Sequence, residues 1–316
     1  MANRILVTPR SLTRDGHPAL RRFVEAGYEV VTCAPGRQPS EQELLDLLPG
    51  CVGMLAGVEP IRARVLEAAG DLRVIGRNGV GVDNIDLAAA ERLDITVCRT
   101  VGANARGVAE LAVALMLGLL RSVPFSDAAL KAGQWKRRQG VEVVGRTLGL
   151  LGCGQIGRHV ARMALGLEMA VLAYDPLPDE SFRPGGAFRY APFDEVLAGA
   201  DVLSLHCPAP ADGRPLIDAE AIGRMKRGSW LINTARASLL DAPAVLAALD
   251  DGRLSGLATD VFAEEPPGED PLIRHERVIA TPHVGGYTAE SVDRSVTMAV
   301  EMMLDCLQEK GIGNRE

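Results

Sequence analysis

Along the first hundred residues, short apolar runs closed by Gly, Pro or Asp alternate with longer stretches of helical spacing. Strand-like runs fall at residues 4–8, 28–32, 53–56, 73–76 and 95–98, with helix-like stretches at 18–26, 64–69 and 87–93. This β-α-β rhythm predicts one parallel sheet covered by helices, because a parallel connection needs a helix-length return. From 104 to 120 the spacing turns continuously helical, and a polar stretch containing Trp135 follows. A second strand series then runs through 147–151, 170–174, 202–205, 230–233, 256–259 and 278–280. Two series predict two sheets and two domains. The final segment, 288–308, places Val292, Val296, Ala299, Val300, Met303, Leu304 and Leu307 at helical spacing and so wants a surface to pack on.

Length agrees with two domains, since 316 residues at roughly 150 per domain allow each its own core. With 34 basic and 41 acidic residues the formal net charge is −7, and no Lys/Arg block interrupts the spread, which argues against a nucleic-acid partner. The longest uncharged apolar run, 111–120, is half of the roughly 20 residues a bilayer crossing takes, so no membrane span is expected. The first apolar run stops at Thr8-Pro9, too short for a signal-peptide core, and a cytoplasmic protein is expected. Six cysteines are scattered singly with no Cys-x-x-Cys pair, and read as reduced, structural residues.

Candidate chemistry begins where the strand at 148–151 runs into Gly152-Cys-Gly154-Gln155-Ile156-Gly157, followed by a helical stretch and the next strand. Gly152 permits a tight turn, Gly154 lets backbone approach a pyrophosphate, and Gly157 lets helix pack on strand, leaving helix-start N–H groups for phosphate. Asp175, 18 residues after Gly157 at the end of that next strand, is placed to accept both ribose hydroxyls. The set points to a dinucleotide. A 2′-phosphate about 4 Å from that carboxylate would cost roughly 4 kcal/mol at an effective dielectric near 20, so NAD is expected over NADP, with Arg183 the nearest downstream cation to soften the preference.

Three further motifs lie at the ends of second-series strands, where open α/β sheets bind ligands: Asn233-Thr234-Ala235-Arg236, Asp260 to Glu265-Pro266, and Thr281-Pro282-His283 with Gly285-Gly286. An Arg, a Glu and a His gathered there suit hydride transfer on a 2-hydroxy or 2-keto acid. The carboxylate calls for a planar cationic fork, which Arg236 supplies, and the hydroxyl for an acid/base titrating near neutrality, which His283 supplies. His17, His159 and His275 lack metal-ligand spacing, and no metal is expected.

With these motifs in this order, and with Gly76-Arg77-Asn78-Gly79-Val80-Gly81-Val82-Asp83-Asn84-Ile85-Asp86 before them, the chain resembles the D-isomer-specific 2-hydroxyacid dehydrogenase family, in its D-3-phosphoglycerate dehydrogenase-like branch. The resemblance implies an α/β architecture of two Rossmann-like, doubly wound parallel-sheet domains with the active-site cleft between them. It implies a discontinuous substrate domain, 1–100 plus 283–316, and an NAD-binding domain, 101–282. By resemblance Arg236 holds and polarises the substrate, His283 exchanges the hydroxyl proton, and Glu265 hydrogen-bonds His283. Cofactor contacts are implied for Gly152, Gly154, Gln155, Ile156, Gly157, Asp175, Cys207, Pro208, Thr234, Ala235, Asp260 and Gly285, and substrate contacts for Asn78, Gly79 and Val80 beside Arg236. The long helix near 104–120 is implied in a homodimer contact, and the partner ligand is a small 2-hydroxy or 2-keto acid, with neither nucleic acid nor membrane.

The chain departs from the family pattern in three places. Phosphoglycerate-oxidising members commonly carry an Arg where this chain reads Ala56-Gly57-Val58-Glu59-Pro60, so plain, phosphorylated and phosphonate acids all stay open as substrates, with Arg62, Arg64, Arg77 and Arg99 as candidate cations. Ala237-Ser238 replace the usual glycines after the catalytic Arg. The chain ends at Glu316, and no regulatory C-terminal domain is expected. A second function class on the same fold is an NAD(H)-sensing, corepressor-like interaction protein, against which the Arg, Glu and His argue.

Overall fold

The computed structural model describes residues 3–210 and 212–312. Contacts divide the chain into two units, residues 3–104 with 288–312, and residues 105–287.

The first unit holds a parallel sheet of β1 (Arg4–Val7), β2 (Glu29–Thr32), β3 (Cys51–Ala56), β4 (Val74–Arg77) and β5 (Thr96–Arg99), ordered β2-β1-β3-β4-β5. Its central strand β3 is apolar throughout, and β1 is apolar after Arg4, because both faces are covered. One face packs Leu44, Leu48, Val65, Leu66 and Ala89 from the helices Glu41–Leu47, Ala63–Ala68 and Leu87–Arg92 and their ends. The other is covered by Leu12, Phe23 and the helix Ala289–Glu309, which buries Val296, Ala299, Val300, Met303 and Leu307. At roughly 1.5–3 kcal/mol per fully buried large apolar side chain, that stripe is a principal reason the chain's last segment returns to this sheet. Gly53 and Gly76 make the approach possible: a Cβ at Gly53 would stand 3.0 Å from the Met303 methyl, and one at Gly76 would overlap the Met303 sulfur. Within the helix, Cys306 is buried where Leu304 was expected, which is half-buried.

The second unit holds β6 (Thr147–Leu151), β7 (Ala170–Tyr174), β8 (Phe188–Tyr190), β9 (Val202–Leu205), β10 (Ser229–Asn233), β11 (Leu254–Thr259) and β12 (Val278–Ala280), all parallel, ordered β12-β11-β10-β9-β6-β7-β8. The helices Ala105–Leu120 and Gln155–Gly166 cover one face, and Phe193–Gly199, Ala219–Arg224 and Ala242–Asp250 the other. Strand β8 was not expected from the sequence: three residues on a sheet edge, reading Phe-Arg-Tyr, are too short to show a period. Among the described residues, no single helix is long and apolar enough to cross a membrane.

The unit boundaries fall four or five residues later than the 100/101 and 282/283 expected from the sequence. Residues 283–285 stay with the second unit because the Asp260 carboxylate accepts the Val284 and Gly285 amides at 2.9 and 2.8 Å.

Candidate active site

In the second sheet the strand order reverses between β6 and β9, and the glycine turn lies at that switch point, outside the carboxyl ends of the strands. Gly152 takes a φ of +94°, and a Cβ there would stand 2.6 Å from the backbone of His206 after β9. A Cβ on Gly157 would collide with the Gly152 carbonyl oxygen, so helix Gln155–Gly166 meets the strand end only through glycine. Gly154 faces open space and gives the helix no side-chain cap, whereas Asp218 and Asp241 cap the helices Ala219–Arg224 and Ala242–Asp250. Its first-turn amides, those of Gln155 and Ile156 among them, are left for an anion.

Asp175, at the end of β7, accepts the Cys153 amide at 2.8 Å and the Leu177 amide at 3.0 Å, one on each oxygen, and retains lone pairs on both. Cradle, uncapped helix start and carboxylate together fit a dinucleotide. Arg183 is paired with Glu180 at 3.2 Å, while Arg158 is the cation tied to the turn, through the Cys153 carbonyl at 3.1 Å and Asp179 at 2.8 Å. Cys207 is half-buried, and burial pushes its thiol up to about 11, so it is neutral; Pro208 beside it is exposed. Burial pushes His206 down to about 4, and its Nε2 lies 2.9 Å from the Ser204 hydroxyl.

At the end of β10, fully buried Asn233 braces the next loop: its Oδ1 accepts the Ala235 amide at 3.1 Å and its Nδ2 donates to the Arg236 carbonyl at 2.8 Å. Arg236 is half-buried and donates from Nη1 to the Ala235 carbonyl at 2.7 Å. Thr234 beside it keeps a buried hydroxyl oxygen with no hydrogen-bond partner among the described residues.

Asp260 directly follows β11, is 2% exposed and organises the loop after β12. Besides the two amides, it accepts the Thr281 hydroxyl at 2.6 Å. That holds His283 at a φ of +53°, a region where His is better tolerated than most residues. Its Nδ1 then lies 2.9 and 2.7 Å from the two Glu265 oxygens. Glu265 also accepts the Phe262 amide at 3.2 Å. The Glu265 hydrogen bond raises the His283 pKa against the opposing burial, with the charges of Glu265 and Asp260 adding to it and that of Arg236 subtracting. Burial pushes Glu265 up, but the His283 hydrogen bond and charge, the Phe262 amide and the Arg236 charge leave it below its ordinary value. An ionised carboxylate thus faces a proton-retaining imidazole, with a guanidinium close enough to act on both.

In the first unit, the carbonyls of the loop after β4 are bonded by neighbouring groups. Arg77 donates to the carbonyls of Asn78 and Gly81, the Thr100 amide to Gly79, and Arg99 to Val80. The amides of Val80 and Gly81 have no protein acceptor among the described residues, so the loop presents donors suited to an anion. The structure therefore brings Arg236, Glu265, His283 and Asp260 together in one unit and sets Asn78, Gly79 and Val80 in the other. Asp260, expected as a cofactor contact, has both oxygens engaged by the His283 loop. The bracing parts of Asn233 and Thr281 were not read from the sequence; polar residues directly closing apolar strands were the available signal. Among the described residues, no group of three or more His, Cys, Asp or Glu side chains is arranged to hold a metal ion.

Residues 113–285 match the family profile described as "D-isomer specific 2-hydroxyacid dehydrogenase, NAD binding domain". The chain is 35% identical to human D-3-phosphoglycerate dehydrogenase over 299 residues, covering 93% of this chain and 56% of that protein. It is 36% identical to a hydroxypyruvate reductase of Thermotoga maritima over 278 residues, covering 86% of this chain and 89% of the relative. The solved structure of the TT0316 protein from Thermus thermophilus superposes with a TM-score of 0.87 at 35% identity, covering 97% of each chain. The chain spans about half the length of the phosphoglycerate dehydrogenases it matches.

Proposed function

The chain belongs to the D-isomer specific 2-hydroxyacid dehydrogenase family, and from that premise we propose that it is an NAD-dependent oxidoreductase interconverting a small D-2-hydroxy acid and its 2-keto acid. The observation that carries the reading is His283, held through Nδ1 by both Glu265 oxygens with Arg236 acting electrostatically on the pair. The residues at the glycine turn fit a dinucleotide, which when bound supplies the hydride acceptor or donor. Gly152, Gly154 and Gly157 with the amides of Gln155 and Ile156 take its pyrophosphate, Asp175 its ribose hydroxyls, and Cys207, Pro208, Thr234, Ala235, Asp260 and Gly285 border it.

Arg236 grips the substrate carboxylate with its planar fork and draws charge toward the carbonyl oxygen, and the loop of Asn78, Gly79 and Val80 adds the amides of Val80 and Gly81 as backbone donors, those of Asn78 and Gly79 being bonded to Ala56 and Arg77. In reduction, protonated His283 gives its Nε2 proton to the oxygen that gains charge as hydride reaches C2. In oxidation, neutral His283 removes the hydroxyl proton as hydride leaves. Glu265 is the positioning residue, fixing the ring through Nδ1 and stabilising its cationic form.

This assigns a sign to the pH dependence. Reduction needs the imidazolium, so kcat/KM for reduction is level at low pH and falls as pH rises through the raised His283 pKa; oxidation rises over the same range. Glu265→Gln removes the charge and weakens the hydrogen bond, leaving burial and Arg236 to lower the pKa, so the falling limb moves to lower pH. A profile for keto-acid reduction that stays in place in Glu265→Gln would rule out the coupling.

The reading itself is tested by following absorbance of NADH and NADPH against simple, branched, aromatic and phosphorylated 2-keto acids. Turnover of at least one with NADH favoured is expected. Tight NADH binding with no turnover of any would favour the sensor class. A homodimer is part of the proposal, with Trp135, 83% exposed, as a contact; sedimentation equilibrium at the monomer mass would remove it.

A further inference from the structure

After β7 the chain turns back toward the glycine turn and brings a second carboxylate with it. Asp179 is oriented by its own loop: its Oδ1 accepts the Ser181 amide at 2.9 Å and the Ser181 hydroxyl at 2.5 Å, and its carbonyl accepts the Phe182 amide at 2.9 Å. Phe182 anchors that loop, 5% exposed and edge-on to Phe188 of β8 at 5.2 Å. The other oxygen, Oδ2, is left to meet Arg158 Nη1 at 2.8 Å. The Ser181 bonds, with the Arg158 charge adding to them, keep this carboxyl below its ordinary value, so it is ionised at neutral pH.

Arg158 in turn reaches the residue that holds the ribose carboxylate. Its Nε donates to the Cys153 carbonyl at 3.1 Å, and the Cys153 amide donates to Asp175 Oδ2 at 2.8 Å, so a single residue joins guanidinium and carboxylate. The two charges therefore stand within about 10 Å, a Debye length at ordinary ionic strength. A group that meets Asp175 is in the field of both. A guanidinium is the side chain best suited to a phosphate, and pairing with Asp179 cancels its charge. Arg183, the next cation along the chain, pairs with Glu180 where both side chains are open to water and salt, 70% and 69% exposed.

We propose that Asp179 is a specificity-determining residue for the dinucleotide, which rejects a 2′-phosphate by neutralising Arg158. The inference rests on the dinucleotide reading of the glycine turn. Asp175 opposes the phosphate directly, and Asp179 cancels the cation that would offset that opposition, so selection for NAD comes from two carboxylates rather than one. Without Asp179, Arg158 keeps its tie to Cys153 and presents an uncompensated charge beside Asp175.

The test titrates the protein with NADH and with NADPH, read by nicotinamide fluorescence with no keto acid present. The wild type is expected to bind NADH more tightly, and Asp179→Asn, which keeps an acceptor for Ser181, to shift the ratio of the two Kd values toward NADPH by about fivefold or more. Being electrostatic, the shift should shrink as salt is raised toward about 1 M. Adding Arg158→Gln to Asp179→Asn should return the ratio to within about twofold of the wild type, because the cation responsible for the gain is gone. Glu180→Gln, which removes a neighbouring charge paired elsewhere, should also leave it within about twofold. Should Asp179→Asn fail to fold, Asp179→Ser carries the same comparison. A wild type that prefers NADPH, a folded uncharged variant with an unmoved ratio, a shift indifferent to salt, an equal shift in Glu180→Gln, or a gain that survives the loss of Arg158 overturns the proposal. Binding of neither dinucleotide to the wild type overturns it together with the dinucleotide reading, whereas tight NADH binding with an unmoved ratio overturns it alone.

Discussion

Replacing His283 with Asn is expected to lower kcat for keto-acid reduction by about a thousandfold while leaving NADH affinity within severalfold of the wild type. General acid–base groups typically contribute about 10²- to 10⁴-fold, and His283 is the imidazole that Glu265 holds through Nδ1. Asn is the informative substitution because residue 283 sits at φ +53°, a conformation Asn tolerates and most residues do not. The loop then keeps its Asp260 contacts, which reach the Thr281 side chain and the Val284 and Gly285 backbone. Stopped-flow reduction at saturating NADH checks the rate and fluorescence titration the affinity. A loss smaller than tenfold would take His283 out of the proton path.

Arg236→Lys is expected to be nearly as damaging, with kcat/KM lower by about a hundredfold or more, shared between KM and kcat. An ammonium is a point charge and cannot make the two parallel contacts a guanidinium makes with a carboxylate. A lysine also lacks the planar group that here bonds the Ala235 carbonyl, so the loop braced by Asn233 loses one of its ties. The positive charge itself is conserved, so the His283 limb of the pH profile should move little. Near-normal turnover in this variant would show that the substrate carboxylate is held elsewhere, the Val80 and Gly81 amides being the alternative donors.

The residues that a single local rule governs were legible in the chain. Gly152, Gly154 and Gly157 announce themselves by their spacing after a strand, and two of their demands are local: the positive φ of Gly152 and the approach of Gly157 to the Gly152 carbonyl, whereas the contact of Gly152 with His206 exists only once β6 pairs with β9. Asp175 follows from strand length. The buried network around Asp260 was less legible, since its partners Thr281, Val284 and Gly285 lie more than twenty residues away and meet it only once β11 and β12 are paired in register. Glu59 was the least legible, because a glutamate in a loop reads as a solvated charge until β1 and β3 bring Thr8 against it.

By itself the sequence determined the two α/β sheets and the glycine turn, and it marked Arg236, Glu265 and His283 as the candidate trio, because periodicity and short motifs are properties of contiguous residues. Tertiary structure alone decided that Asp260 braces the His283 loop, that residues 283–287 stay with the second unit, and that Glu59 is buried against Thr8 and Gly57. Hydrogen bonds of that kind depend on strand order, and strand order is fixed by which apolar faces find each other when the whole chain packs.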